Sequence, residues 1–273
     1  MVKIFSKYTF WIIIINILAF IGFLGLGAVI GEEKAVSLVA LQPAMIFAGK
    51  NLWTLLTSMF MHANFTHLFV NMFSLFFIGS FVERLIGKKR YIAFYILSGI
   101  FAGLFFVILA GLFGNSLIGE KIFGNPMIYG VGASGAIFGL LGVLAILTPK
   151  NKVYLIGGPI IAIVLQMIVG SIIPLSGIAG VLNFLVTGYI IISIFLILSP
   201  NPRLRRIAIP IELEFWILPI VAIVPLIIIG LFVNLPIGNM AHLGGLIAGL
   251  IYGFYLIKKY PKRTRMIARA FSR

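Results

Sequence analysis

Few side chains in this 273-residue chain can carry out covalent or proton-transfer chemistry, and one of them sits in an unusual place. Ser134 lies in "YGVGASGAIFGLLGVL", between Gly132 and Gly135, at the point where a long apolar run begins. A serine hydroxyl is a weak nucleophile until a neighbouring base accepts its proton, and a neutral imidazole within hydrogen-bond reach is sufficient. Three histidines are available: His62, His67 and His242. Ser134 with His242 makes a candidate nucleophile–base pair. His67 and Asn71 are spaced i,i+4, so on a helix they share a face and can both donate toward one developing oxyanion. The Ser134 main-chain N–H, in a first helical turn, would add a donor backed by the helix dipole. Gly132 and Gly135 let a substrate backbone approach the hydroxyl. Small residues at four-residue spacing, Gly135/Gly139 and Gly245/Gly249, also suit close helix packing, and the two readings are compatible.

The missing residue types narrow the chemistry further. There is no aspartate, and the six glutamates fall in or beside expected loops, which excludes a paired-carboxylate protease and a Ser-His-Asp triad. No His-Glu-x-x-His stretch and no cysteine occur, so neither a zinc protease nor a Cys-ligated metal is supported, and no metal or cofactor is expected. A carboxylate-based ion relay through a bilayer would also lack its residues.

The elements that must position these groups are membrane helices. Mean hydropathy is +1.19, 62% of residues are hydrophobic and 10% are charged, a balance that leaves too little polar surface for a soluble domain. Apolar segments fall at about Tyr8–Ile30, Phe65–Val82, Tyr91–Phe113, Gly132–Thr148, Val153–Ile173, Ile178–Leu198, Phe215–Val233 and Met240–Ile257. Stretches of this length span a bilayer. The expected fold is an all-α polytopic bundle of about eight transmembrane helices in a single domain covering 1–273. The first segment is too long for a signal-peptide core and reads as a retained anchor. Residues 31–64 form an amphipathic loop suited to the membrane interface, with Trp53 at headgroup depth. Residues 151–211 read as an inserted helix pair, which "PLSG" and Pro159 could make re-entrant.

Positive charge supplies the orientation. With a cytoplasmic N-terminus and eight spans, only Lys34, Lys50 and Lys121 of the 21 basic residues fall outside. That bias matches the positive-inside rule and puts the basic tail, residues 258–273, in the cytoplasm of a multi-pass protein of the cell membrane. The basic residues form short clusters between apolar runs, so nucleic acid is not expected as a partner. The second, fourth and eighth segments then all begin on the outer side, which brings His62 and His67, Ser134 and His242 to one leaflet.

Three blocks now resemble a known family. "HANFTHLFVNMFSLFFIGSFVERLIG", "GASGAIFGLLG" and "AHLGGLIAGLIYG" are similar, in order and spacing, to the signature blocks of rhomboid intramembrane serine proteases. The resemblance covers about residues 50–150 and 212–257. It implies that Ser134 is the nucleophile and His242 the general base, with His67, Asn71 and the Ser134 amide as the oxyanion site. It further implies that Phe138 stacks on the catalytic imidazole, that His62 is the additional histidine near the mouth, and that Gly245 belongs to the last block. Phe215–Val233 would be the counterpart of the lateral substrate gate. The chain departs from the family in having Trp53-Thr54 where Trp-Arg is common, so an arginine-anchored loop contact is missing, and in the extra residues 151–211. The reading is an intramembrane serine endopeptidase that cuts transmembrane substrates with helix-destabilising residues near their outer ends. A catalytically inactive, membrane-protein-binding relative is the alternative. A transporter or channel is a further rival only if the 151–211 pair builds a separate pathway.

Overall fold

In a computed structural model, described for residues 6–158, 161–162, 164–165, 178–197, 199–232 and 238–271, the chain is a helical bundle with one small sheet. We label the main helices α1 (Lys7–Ile30), α2 (Phe65–Ile86), α3 (Lys88–Phe113), α4 (Ser134–Leu147), α5 (Ile178–Ile197), α6 (Leu218–Phe232), α7 (Asn239–Lys259) and α8 (Pro261–Phe271). Among the described residues five helices are long and apolar enough to cross a membrane, namely α1, α2, α3, α5 and α7. Together with two shorter apolar helices, α4 and α6, they make the protein an integral, multi-pass membrane protein.

The bundle is organised around α4. Its central residues Leu140, Val143 and Leu144 are fully buried. A helix apolar on all sides belongs in a protein core or a membrane, and here α3 and α7 flank it. Glycine makes the approach of α7 possible. A Cβ on Gly245 would run into the Gly135 carbonyl, and one on Gly249 into the Gly139 carbonyl. On α4 itself, a Cβ on Gly142 would lie 2.7 Å from the Leu246 carbonyl and 2.9 Å from the Gly249 Cα. The expected small-residue spacing is therefore a backbone-to-backbone seam, where close approach substitutes for the hydrophobic drive that lipid does not supply between helices.

The segment expected as a helix from Val153 to Ile173 starts differently. Lys152–Ile156 is a strand, β1, paired antiparallel with β2 (Pro210–Glu214), with Lys152 opposite Glu214 and Ile156 opposite Pro210. "KVYLI" is β-branched and aromatic, and a short apolar run does not by itself distinguish helix from strand. Helical residues follow at 157–158, 161–162 and 164–165, while 166–177, including the "PLSG" connection, lies outside the described residues. The pairing has a topological consequence. β1 follows the end of α4 and β2 precedes α6, so the chain between them leaves and returns to the same end of the bundle.

A second difference concerns Glu83. It lies within α2, not beside it, and is buried. Its carboxylate accepts hydrogen bonds from the Thr9 amide at 2.8 Å, the Thr9 hydroxyl at 2.9 Å and the Tyr8 amide at 3.3 Å. These are first-turn donors of α1, which have no intrahelical partner and favour a negative charge. Glu83 thus ties α1 to α2, one turn after a π-helical stretch at Leu75–Gly79.

Candidate active site

Each site residue is placed by a helix start or by the loop that leads to one. α4 begins at Ser134, with Ala133 as its cap residue. At 14 residues it is about 21 Å long, some 9 Å short of a typical hydrocarbon core. Its far end runs into Thr148, Pro149, Lys150 and Asn151, which belong at a polar boundary. With those residues at a polar boundary, a helix of this length starts at Ser134 short of the opposite one, whereas the 26-residue α3 beside it is about 39 Å long.

The approach to Ser134 is held by loop residues 31–64. Leu41 and Gly130 exchange both main-chain hydrogen bonds, at 3.0 and 2.7 Å, and the Gln42 side chain donates to the Met127 carbonyl at 2.6 Å. The Gly132 amide donates to the Ser58 carbonyl at 2.8 Å. Gly132 itself has φ +122°, a conformation that suits glycine. Without that arginine, the loop is held by other contacts. Trp53 donates from its indole to the Leu38 carbonyl at 2.8 Å, Thr57 to Val39 at 2.8 Å and Asn51 to Ser37 at 3.1 Å. Thr54, at the position of that arginine, is fully buried and donates to the Asn51 carbonyl at 2.7 Å. Trp53 is exposed, as an interfacial ring should be.

At the centre, His242 Nε2 lies 2.8 Å from Ser134 Oγ. Residues 108 positions apart thus meet at the starts of two packed helices. For the hydroxyl to donate, the imidazole proton must sit on Nδ1, which is buried and has no hydrogen-bond partner. No carboxylate orients the ring. Phe138, one turn after Ser134, stacks on it instead, with centroids 4.5 Å apart and planes 16° from parallel.

His67 also reaches this point. Its ring edge closes over Gly132, where a Cβ would lie 2.9 Å from His67 Nε2 and 3.7 Å from Ser134 Oγ. Asn64 caps this helix by accepting the His67 amide at 2.8 Å. Asn71 is buried one turn further on, and its amide donates to the His67 carbonyl at 2.9 Å. It holds the helix turn that carries His67. His62, expected at the mouth, is fully buried, edge-on to His67 with centroids 5.1 Å apart. Burial, and secondarily the His67 charge, pushes its imidazole down to about 3, so it is neutral at physiological pH. The main-chain stitching between the 31–64 loop and residues 126–132 was not foreseen from the sequence, because contacts made by the backbone leave no residue-type signature. Among the described residues no group of three or more potential ligands gathers to hold a metal.

Comparison with known proteins agrees in kind. A family model described as the rhomboid domain matches residues 49–197 and 184–259. The chain is similar to the rhomboid protease GluP of Bacillus subtilis, 32% identical over 161 residues, which is 58% of this chain and 28% of that protein. It is similar to the rhomboid protease AarA of Providencia stuartii, 40% identical over 91 residues, 32% of this chain and 31% of that one. It is also similar to inactive RHOMBOID-like protein 8 of Arabidopsis thaliana, 32% identical over 100 residues, 37% of this chain and 24% of that one. The chain spans between 23% and 39% of the length of the curated relatives it matches.

Proposed function

Because the chain belongs to the rhomboid family, whose model matches most of it, we propose that it is an intramembrane serine endopeptidase working through a Ser134–His242 dyad. The observation that carries the reading is the 2.8 Å contact between His242 Nε2 and Ser134 Oγ at a recessed helix start. Ser134 Oγ attacks the carbonyl carbon of the scissile bond as its proton passes to His242 Nε2. The oxyanion forms beside the first-turn N–H of Ser134 and the ring of His67, with Asn71 holding the turn behind it. The intermediate collapses, the C–N bond breaks, and the departing amine takes the proton from His242. Water then enters from the recessed side and attacks the acyl carbon as it gives a proton to His242; the C–Oγ bond breaks, His242 returns that proton to Ser134 Oγ, and the carboxylic acid leaves. No carboxylate stabilises the imidazolium, so that role falls to the face of Phe138, within the distance at which a ring attracts a cation. No cofactor or metal takes part in this scheme.

The substrate is a transmembrane segment that can present an extended backbone to Ser134, which favours Gly, Pro or another helix-destabilising residue near the cut. Lateral entry beside α6 fits the presence of Pro225 inside that helix, which removes one main-chain hydrogen bond. The charge bias supports cytoplasmic termini and a cut near the outer face of the cell membrane. The inactive relative raises the alternative of a binding protein that keeps the fold. Retention of both Ser134 and His242, hydrogen-bonded, favours catalysis here. The test is labelling by a fluorophosphonate probe together with cleavage of a model membrane substrate. Ser134→Ala and His242→Ala should each abolish cleavage, and the double variant should be little worse than either. Normal turnover in a folded single variant would refute the dyad.

A further inference from the structure

Between α3 and α7 lies an open groove of about 490 Å³ lined by Phe94, Leu97, Phe101, Ile251, Tyr252 and Tyr255. Its volume falls within the roughly 300–1,000 Å³ typical of ligand sites. The aromatic wall is ordered: Phe94 stacks on Tyr252 at 4.5 Å and 10°, and Tyr252 on Tyr255 at 5.9 Å and 18°. Phe94 and Tyr255 line it on the side toward the end of the bundle remote from Ser134, where α7 stops at Lys259, about 25 Å along the helix from His242. One turn beyond Phe94 on α3 is Arg90, and one turn beyond Tyr255 on α7 is Lys259. The two cations converge on one ring, with the Arg90 guanidinium 4.4 Å and the Lys259 ammonium 5.9 Å from the centroid of Tyr260. Lys259 also donates to the Tyr255 hydroxyl at 2.5 Å.

No carboxylate answers them. Among the described residues the ion pair present is Lys152 with Glu212, on the sheet. Arg90, with Lys88 and Lys89, opens α3 where the helix dipole already favours anions, and that first turn has no acidic residue. Two like charges are thus held together at the end of an apolar, aromatic-walled groove.

The geometry points to a bound anionic phospholipid, with one acyl chain lying in the α3–α7 groove and its phosphate between Arg90 and Lys259. The occupant's chemistry follows from the length and polarity of the site: an apolar chain and an anion, joined end to end, at the depth where α3 begins and α7 stops. A transmembrane partner helix would cover the aromatic wall but would leave both cations unanswered. A soluble phosphate would answer the cations and leave the groove to bulk lipid.

The full chain in detergent, titrated with phosphatidylglycerol and with phosphatidylcholine of identical acyl chains, tests this by native mass spectrometry. A cation near a lipid phosphate contributes roughly a five-fold preference, so phosphatidylglycerol should be held roughly 25-fold more tightly. Lys259→Gln, at an exposed position, should cut that preference by roughly five-fold, and Arg90→Gln with Lys259→Gln should bring the two lipids close to parity. Ala248→Phe, in the groove wall, should weaken both lipids alike and leave the preference intact. Excess glycerol 3-phosphate should not displace the lipid. Equal retention of the two lipids by the unaltered protein would overturn the proposal. So would an unchanged preference in the double variant with an unchanged melting temperature, or displacement by glycerol 3-phosphate.

Discussion

Replacing Gly245 by alanine is the sharpest test of how the helix seam sets the chemistry. An alanine Cβ there would run into the carbonyl oxygen of Gly135, and a Gly139 nitrogen lies 3.3 Å from the same point. The obstruction is backbone on a buried helix, so no side-chain rotation relieves it. The two helices must separate by about 1 Å to restore an ordinary contact, and a displacement of that size at a reacting centre costs about 10²-fold in rate. The location makes the loss specific. Gly245 is one turn from His242, Gly135 is adjacent to Ser134, and the Nε2–Oγ contact of 2.8 Å leaves little margin before the hydrogen bond is lost. Cleavage per folded molecule and the rate of fluorophosphonate labelling should therefore both fall. Gly253→Ala supplies the comparison. Its Cβ would press on the Ile146 side chain, 2.7 Å away, at the other end of the same seam. That variant should lose stability but keep its rate per folded molecule. Gly22→Ala, with nothing within 4 Å, should be neutral or slightly stabilising. If Gly245→Ala labelled and cleaved at the unaltered rate, the dyad would not depend on this seam and the argument would fail.

His67→Ala should lower kcat by roughly 10²–10³, as loss of an oxyanion donor does, whereas Asn71→Ala should cost less because its amide is committed to the His67 carbonyl; an equal or larger loss at Asn71 in single-turnover assays would reverse the two roles. Glu83→Ala should destabilise the fold by about 2–4 kcal/mol by orphaning the first-turn donors of α1. Thermal melts should show the loss while probe labelling per folded molecule stays unchanged. With no native cysteine, single cysteines can report the orientation: Asn115→Cys should react with an impermeant thiol reagent on intact cells and Asn201→Cys should not. The reverse pattern would invert the topology.

How much of this molecule could be read from the chain depends on which physical signal each part carries. The membrane helices were legible because burial in lipid forces long apolar runs, and α1, α2, α3 and α7 begin and end within a few residues of the expected segments. The meeting of Ser134 and His242 was legible too, because charge bias and parity predict that α4 and α7 start on the same side, and glycine spacing lets the two helices touch. Neither signal reaches "KVYLI". Its alternation is too short to declare a strand, and the partner that makes it one lies more than fifty residues away in "PIELE". Pairing across such a separation is a tertiary event with no local trace.

Glu83 shows the same limit from the other direction. A carboxylate four residues before "GKKR" looks solvated, since charge usually marks the end of a span. Its actual environment is set by α1, whose first-turn amides have nowhere else to donate once Thr9 is buried. The sequence carries the need for a cap at the start of α1, where Ser6 makes no side-chain cap bond, but not which distant residue answers it. His62 and His67 divide on similar grounds. Their spacing makes both look available to a substrate, yet one is sealed beneath the other by the loop that stitches Ser58 to Gly132. That loop is held almost wholly by main-chain acceptors, so a site whose residue types were all visible in advance still owes its shape to contacts that no residue type announces.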